Sequence, residues 1–209
     1  MPTGDYHEAL WRSLPDPLPP FERDLRMGFL LGHVAAGERV LDLGCGAGDF
    51  AAALVAAGAL VSAVDVAQEP LRRARAAHPG LKDLRLIDGE GSWQLPDAAF
   101  DVVWAGEVIE HVADTAGWLS EVRRVLRSGG RLLLSTPHLG RLQLLAAALS
   151  EDAFASRFEP RGEDLRFYRA ATLRALLGDF GFEDVRVRAA GGRPGARRVL
   201  LASAVRSRY

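Results

Sequence analysis

The chain has a single cysteine, a single lysine and no long uncharged apolar run. Cys45 alone can form no internal disulfide, and a cysteine-rich zinc site is excluded. Apart from Lys82 every fixed cation is an arginine; 26 basic residues face 27 acidic ones, for a formal net charge of −1. A chain so balanced has no global field to draw it to nucleic acid or to an anionic membrane. No segment reaches membrane-spanning length without charge, and "MPTGDYHEALWRSLPDPLPP" lacks the apolar centre of a signal peptide. These absences predict a cytoplasmic protein with no membrane or nucleic-acid partner, whose oligomeric state is not encoded in any visible pattern. One local exception is the stretch from Val185 onward, which has seven arginines and no acid. Solvated strand faces and a tail account for it more simply than a polyanion site.

What is present is 209 residues at 48% hydrophobic content, enough for one well-buried core and short for two. Residues 1–35 read as a helical cover, a short helix and a proline-rich linker followed by a helix over Phe21–Ala35. Short apolar runs then predict strands at Arg39–Leu43, Leu60–Val64, Leu84–Ile87, Phe100–Ala105 and Arg131–Thr136. Helices are expected between most of them, at Asp49–Ala57, Gln68–Ala77 and Thr115–Arg127. Continuous Val/Leu/Ile runs alternating with helices are what a parallel sheet covered on both faces requires. Residues 139–169 break the rhythm with an Ala/Leu helix at Leu139–Leu149 and a polar loop, an insertion suited to serve as a lid. After a helix at Ala171–Phe180, two strands joined by "AGGRPG" are too close for a crossover and must be antiparallel. The fold class is therefore α/β, one doubly wound, seven-stranded, mostly parallel sheet with a terminal antiparallel hairpin.

In "VLDLGCGAGDF" the first strand breaks into Gly44, Gly46 and Gly48 before a helix. Glycine at such a strand end lets the backbone turn sharply and lie against a ligand with no Cβ between them. Asp65 ends the next strand, 21 residues after Gly44, the spacing at which an acid meets the hydroxyls of a bound ribose. The dinucleotide pattern would need glycine at position 49, and this chain has Asp49. Asp42 and Asp49 flank the loop, where they would repel a diphosphate but tolerate a cation. S-adenosylmethionine, with a sulfonium and an ammonium group, is a ribose ligand of that kind.

That loop, together with "AVDV", "IDGEG", "FDVVWAGEVIEHV", "EVRRVLRSGGRLLLSTP" and "LGDFGFEDVRV", resembles the class I S-adenosylmethionine-dependent methyltransferases. The resemblance spans Glu38 to Val187 and runs toward the group containing the ubiquinone-biosynthesis O-methyltransferases. It implies a Rossmann-like sheet, S-adenosylmethionine as methyl donor and a small-molecule acceptor. Gly44, Gly46 and Gly48 would face the methionine and ribose, with Cys45 a small filler in the loop and Asp42 reaching the ammonium. Asp65 would hold the ribose hydroxyls, with Val66 beside it. Asp88 would accept from the adenine amino group, with Gly89 and Glu90 along the ring, and the Ala105 carbonyl would meet the ammonium.

Methyl transfer is an in-line displacement at a carbon already activated by positive sulfur, so alignment in a dry site is the main task. A base is required when the acceptor is a hydroxyl. Glu107, Glu110, His111 and His138, after the fourth and fifth strands, are the candidates, with His138, His111 and Glu107 preferred as catalytic groups. The E-x-x-E-H run also resembles the metal-binding set of small-RNA 2′-O-methyltransferases. A divalent metal on these four residues is the alternative not favoured, and no metal ligand is assigned. Tyr6, His7, Trp11, Phe154, Phe158, Phe167 and Tyr168 are expected over the acceptor pocket or in a small core of their own. O-methylation of a small molecule is the functional expectation. N- or C-methylation, a non-catalytic cofactor-binding module and an RNA 2′-O-methyltransferase are the alternatives.

Overall fold

The computed structural model describes residues 3–18, 20–89, 91–157, 164–193 and 196–208. Seven strands form one sheet in the order β3-β2-β1-β4-β5-β7-β6. They are β1 (Arg39–Leu43), β2 (Leu60–Asp65), β3 (Leu84–Leu86), β4 (Phe100–Gly106), β5 (Leu126–Pro137), β6 (Phe182–Ala190) and β7 (Val199–Arg206). β1 to β5 pair in parallel, and β7 runs antiparallel between β5 and β6. The helices are α1 (Thr3–Ser13), α2 (Arg23–Leu31), α3 (Asp49–Ala56), α4 (Gln68–Ala77), α5 (Thr115–Val125), α6 (Arg141–Ala148), α7 (Glu151–Arg157) and α8 (Ala170–Asp179).

Alternation along each central strand sorts its side chains onto two covered faces. Leu41, Leu43, Val103, Ala105, Leu132 and Leu134 pack against Trp118, Leu119 and Val122 of α5 and Leu173 and Leu177 of α8. Val40, Val102, Trp104 and Leu133 turn the other way, onto Phe29 and Leu30 of α2 and Phe50 and Leu54 of α3. Both faces are buried, which is why these strands read as unbroken apolar runs. The strand order reverses beside β1, whose neighbours are β2 and β4. In an open α/β sheet that reversal leaves a crevice at the carboxyl ends of the strands.

Three local expectations need correction. The helix predicted to reach Arg127 ends at Val125, because Leu126 already pairs with Phe100 and the Arg127 guanidinium is bonded to Asp101 (2.6 Å). The stretch predicted as a polar loop contains α7, started by the Ser150 hydroxyl, which accepts from the Ala153 amide (3.3 Å), with Glu151 and Asp152 in the first turn. The helix predicted from Phe21 begins at Arg23, after Glu22 in a left-handed conformation (φ 45°). Three of the C-terminal arginines have structural partners. Arg198 pairs with Glu22 (3.2 Å) and lies over Phe21, Arg188 lies over Phe29, and Arg206 donates to the Leu126 carbonyl. Arg186 and Arg188 are exposed on edge strand β6, where charge opposes edge-to-edge pairing. Among the described residues no helix is long and apolar enough to cross a membrane.

Candidate active site

A cavity of about 1190 Å³ opens at the β1–β4 crevice. Small-molecule pockets are typically about 300–1,000 Å³, so this one lies just above that range. Asp42, Gly44, Cys45, Gly46, Asp65, Val66, Gly89, Glu107, His111 and His138, all singled out from the sequence, lie on its wall.

The cofactor end is shaped by backbone geometry. Gly44 and Gly46 have φ of +73° and +53°, a region that side-chain-bearing residues seldom adopt. A Cβ on Gly44 would lie 2.6 Å from the Val108 side chain, and one on Gly46 would lie 3.2 Å from the Trp11 ring. The loop is pinned by Asp65, whose two oxygens accept from the Gly46 amide (3.0 Å) and the Ala67 amide (3.1 Å). Burial pushes the Asp65 carboxyl up to about 6 against the pull of those hydrogen bonds. Asp42 is buried too, and one of its oxygens has no hydrogen-bond partner. Burial, reinforced by the charge of Asp65, pushes it up to about 7. An unpartnered buried acceptor costs free energy until a donor arrives, and a cationic donor would both satisfy it and restore its charge. These two carboxylates, as acceptors, thus fit an ammonium and a ribose. Gly44→Ala should abolish cofactor binding while the chain still melts cooperatively, measured by calorimetry and thermal unfolding; native affinity in that variant would refute the cradle.

Three of the expected cofactor contacts are placed off the cavity wall. Gly48 serves packing, since a Cβ there would lie 2.9–3.3 Å from Leu81, Ala74 and His78. Ala105 is wholly buried in β4, in register with Leu43 and Leu134. Asp88 is exposed beside Ile87 and Gly89, which do line the cavity. Glu90 and Phe158 lie outside the described residues. Asp49 opens α3 and pairs with Arg23 (3.6 Å), a helix-start role in keeping with its charge. Cys45 is buried, and burial together with Asp42 and Asp65 raises its thiol well above the ordinary value, so it is no nucleophile.

The other part of the cavity wall comes from residues after β4 and β5. Glu107 adopts a left-handed conformation (φ 58°) while its amide donates to the Ser135 carbonyl (3.0 Å). Its carboxylate accepts from the Ser135 hydroxyl (2.7 Å), which accepts from Arg26 Nε (2.9 Å). Arg26 is a buried cation between Phe50 and Trp104, and sequence reading missed it because one arginine in an amphipathic helix gives no burial signal. Glu110 is buried, neither oxygen has a hydrogen-bond partner, and its Oε1 lies 4.0 Å from His111 Nε2. Burial pushes its carboxyl well up, and the Glu107 charge adds to the effect. Burial raises Glu107 as well, against the pull of Arg26.

The four-residue set read from E-x-x-E-H and His138 is divided in space. Among the described residues, the ligand atoms that come within 4.8 Å of one another belong to Glu110, His111 and Asp164. Asp164 was invisible as a site residue because it is brought in by the insertion. Leu165 donates to the Glu110 carbonyl (2.9 Å), and Arg166 donates to the carbonyls of Val112 and Ala113. Tyr168 is buried in the core and bridges His138 through the backbone. Phe154, Phe167 and Tyr6 are exposed, whereas His7 and Trp11 of α1 line the cavity.

The sequence and the fold both have known counterparts. A family model described as a methyltransferase domain matches residues 41–134. The ubiquinone biosynthesis O-methyltransferase of Pseudomonas paraeruginosa is 35% identical over 153 residues, 71% of this chain and 66% of that protein. The enzyme of the same name from Nitrosococcus oceani is 32% identical over 165 residues, 76% of this chain and 70% of its own length. The chain thus spans about two thirds of the length of these relatives. Among solved structures, Haemonchus contortus phosphoethanolamine N-methyltransferase 2 in complex with S-adenosyl-L-methionine superposes with a TM-score of 0.71 at 19% identity, covering 90% of this chain and 53% of that one. Geranyl diphosphate C-methyltransferase from Streptomyces coelicolor does so with a TM-score of 0.72 at 17% identity, over 99% and 98%. With the seven-stranded sheet and its glycine cradle, these matches place the chain among the class I S-adenosylmethionine-dependent methyltransferases.

Proposed function

We propose that this protein transfers a methyl group to a hydroxyl of a small-molecule acceptor, with His138 as the general base. When bound, S-adenosylmethionine supplies an electrophilic methyl carbon. Asp42, Asp65, Val66 and the Gly44–Gly46 backbone would hold that cofactor, leaving the Glu107, His111 and His138 wall for the acceptor. The names of the O-methyltransferase relatives favour a hydroxyl acceptor.

The observation that carries the base assignment is the state of His138. It lies on the cavity wall, and its Nδ1 is buried without a partner. Burial and the nearby Arg169 lower its pKa from the ordinary histidine value of 6.5. A lowered pKa leaves the imidazole neutral at pH 7, and the neutral form is the one that accepts a proton. Activity should therefore rise as pH increases through a pKa below 6.5 and stay level above it. His138→Ala should lower kcat about 10²-fold and remove that acidic limb. A pH–rate profile for both proteins tests this; an unchanged rate in the variant refutes the assignment.

A second reading rests on Glu110, His111 and Asp164. Two carboxylates and an imidazole suit Mg²⁺ or Mn²⁺, and such an ion would polarise an acceptor oxygen. In that case chelator abolishes turnover and added metal restores it, whereas a metal-independent base is indifferent to chelation.

A further inference from the structure

We propose that α1 is a polar-latched lid over the cofactor end of the cavity, which must lift for cofactor to enter and leave. The inference rests on the cofactor site assigned above.

Among the described residues, no α1 side chain is part of a buried core cluster. Every residue from Gly4 to Ser13 is half-buried or exposed, and none joins a core cluster. An element without buried apolar side chains is among the first to open locally. Its polar attachment runs to α4. Glu8 Oε2 accepts from the amides of Gln68 (2.7 Å) and Glu69 (2.9 Å), the first residues of α4. The N-cap of α4 is Ala67, which has no side-chain acceptor to offer, so α1 lends the missing cap and places a negative charge at a helix N-terminus. At the other end of α1, Arg73 of α4 collects the carbonyls of Trp11 (2.7 Å), Leu14 (3.0 Å) and Pro15 (2.9 Å), while its Nε is held by Glu69 (2.9 Å). Arg73 is itself buried, with the Trp11 ring beside it at 5.6 Å. Those carbonyls belong to the end of α1 and the residues after it, where helical donors run out; the Trp11 carbonyl also accepts from the Leu14 amide (3.4 Å).

What the latch closes over is the glycine cradle. The Trp11 ring lies against Gly46, whose amide is bonded to Asp65. A Cβ on Gly4 would lie 3.1 Å from the Val66 carbonyl, so the start of α1 sits on the residue after Asp65. His7, Leu10, Trp11 and Leu14 form this part of the cavity wall. The same helix reaches the other part of the cavity wall, where the His7 and His111 rings are 6.1 Å apart. A cofactor held by Gly46, Asp65 and Val66 therefore lies beneath α1. Releasing it requires Glu8 to leave the α4 amides and the Trp11 segment to leave Arg73.

The test is the rate of S-adenosylhomocysteine exchange, followed by stopped-flow binding and displacement in the full chain. In Glu8→Ala both association and dissociation should be about tenfold faster, with the dissociation constant changed less than either rate. Glu8→Gln keeps an acceptor without the charge and should fall between. Hydrogen exchange supplies a second readout. Amides of residues 3–13 and of Gln68 and Glu69 should exchange faster than β1 in the free protein and slow when S-adenosylhomocysteine binds. Binding with both rates within twofold of native in Glu8→Ala, or α1 amides as protected as β1 before ligand is added, would overturn the lid and leave the cofactor site standing. No binding of S-adenosylhomocysteine to the native chain would overturn both.

Discussion

Asp65→Ala should bind S-adenosylhomocysteine about a hundredfold more weakly than the native chain, a loss of roughly 2–3 kcal/mol from charge-assisted hydrogen bonds. Two losses combine. The ribose loses its acceptor, and the Gly46 and Ala67 amides lose the carboxylate that shapes the loop. Asp65→Asn separates them, because an amide oxygen can still accept from one backbone donor but carries no charge. The native protein adds a pH signature. Burial pushes the carboxyls of Asp65 and Asp42 up to about 6 and about 7. A cationic ligand binds their ionised forms, so these carboxyls release protons on binding. Affinity should rise with pH through that range and level off above it; calorimetric titrations at pH 5.5 and pH 8 in two buffers would show both the trend and the proton release. An affinity indifferent to pH would remove Asp42 from the ammonium site.

Arg26→Met should destabilise the fold by about 3 kcal/mol or more, as removal of one partner from a buried ion pair does. That is a fall of roughly 6–12 °C in Tm for a chain of this size. Arg26 is 4% exposed, donates to Ser135 (2.9 Å) and the Phe21 carbonyl (3.0 Å), and lies 3.8 Å from Glu107. Without it the half-buried Glu107 carboxylate loses the Arg26 charge that pulls its pKa down, and its already raised pKa climbs further. The sign follows: the raised carboxyl favours the protonated folded state, so the destabilisation should shrink as pH falls and Glu107 takes up its proton. Adding Glu107→Gln to Arg26→Met should recover much of the loss, because the double variant has no unpaired charge. Equal Tm values for native and Arg26→Met at pH 8 would show that the pair contributes nothing. A double variant no better than Arg26→Met would assign the loss to packing between Phe50 and Trp104.

The difference between what the sequence disclosed and what it concealed follows the range of the interactions. Strands such as Val102–Ala105 were legible because burial on both faces demands continuous apolar residues. The glycine cradle was legible because its constraint is local, a positive φ at Gly44 and Gly46. Gly48 carries the same φ signature (86°) for a different reason, the approach of α4, and spacing alone does not separate ligand contact from helix packing. Arg26, Arg73 and Asp164 were concealed because each acts through a partner far along the chain: Ser135, Trp11 and His111. The capping of α4 by Glu8 is of the same kind. A helix that starts at Ala67 without a Ser, Thr, Asp or Asn announces a missing cap, yet nothing in the local sequence identifies the donor of it. The α7 start, by contrast, is written locally in Ser150-Glu151-Asp152, inside a stretch whose polar composition otherwise reads as loop.

The most direct measurement is a crystal structure with S-adenosylhomocysteine. The ribose hydroxyls are expected within hydrogen-bond distance of the Asp65 carboxylate, the amino group at the unpartnered oxygen of Asp42, and the sulfur facing Glu107 and His138 from beneath α1. A ligand bound away from Asp42 and Asp65, or with its sulfur turned from the His138 wall, would contradict both the cofactor assignment and the route of methyl transfer.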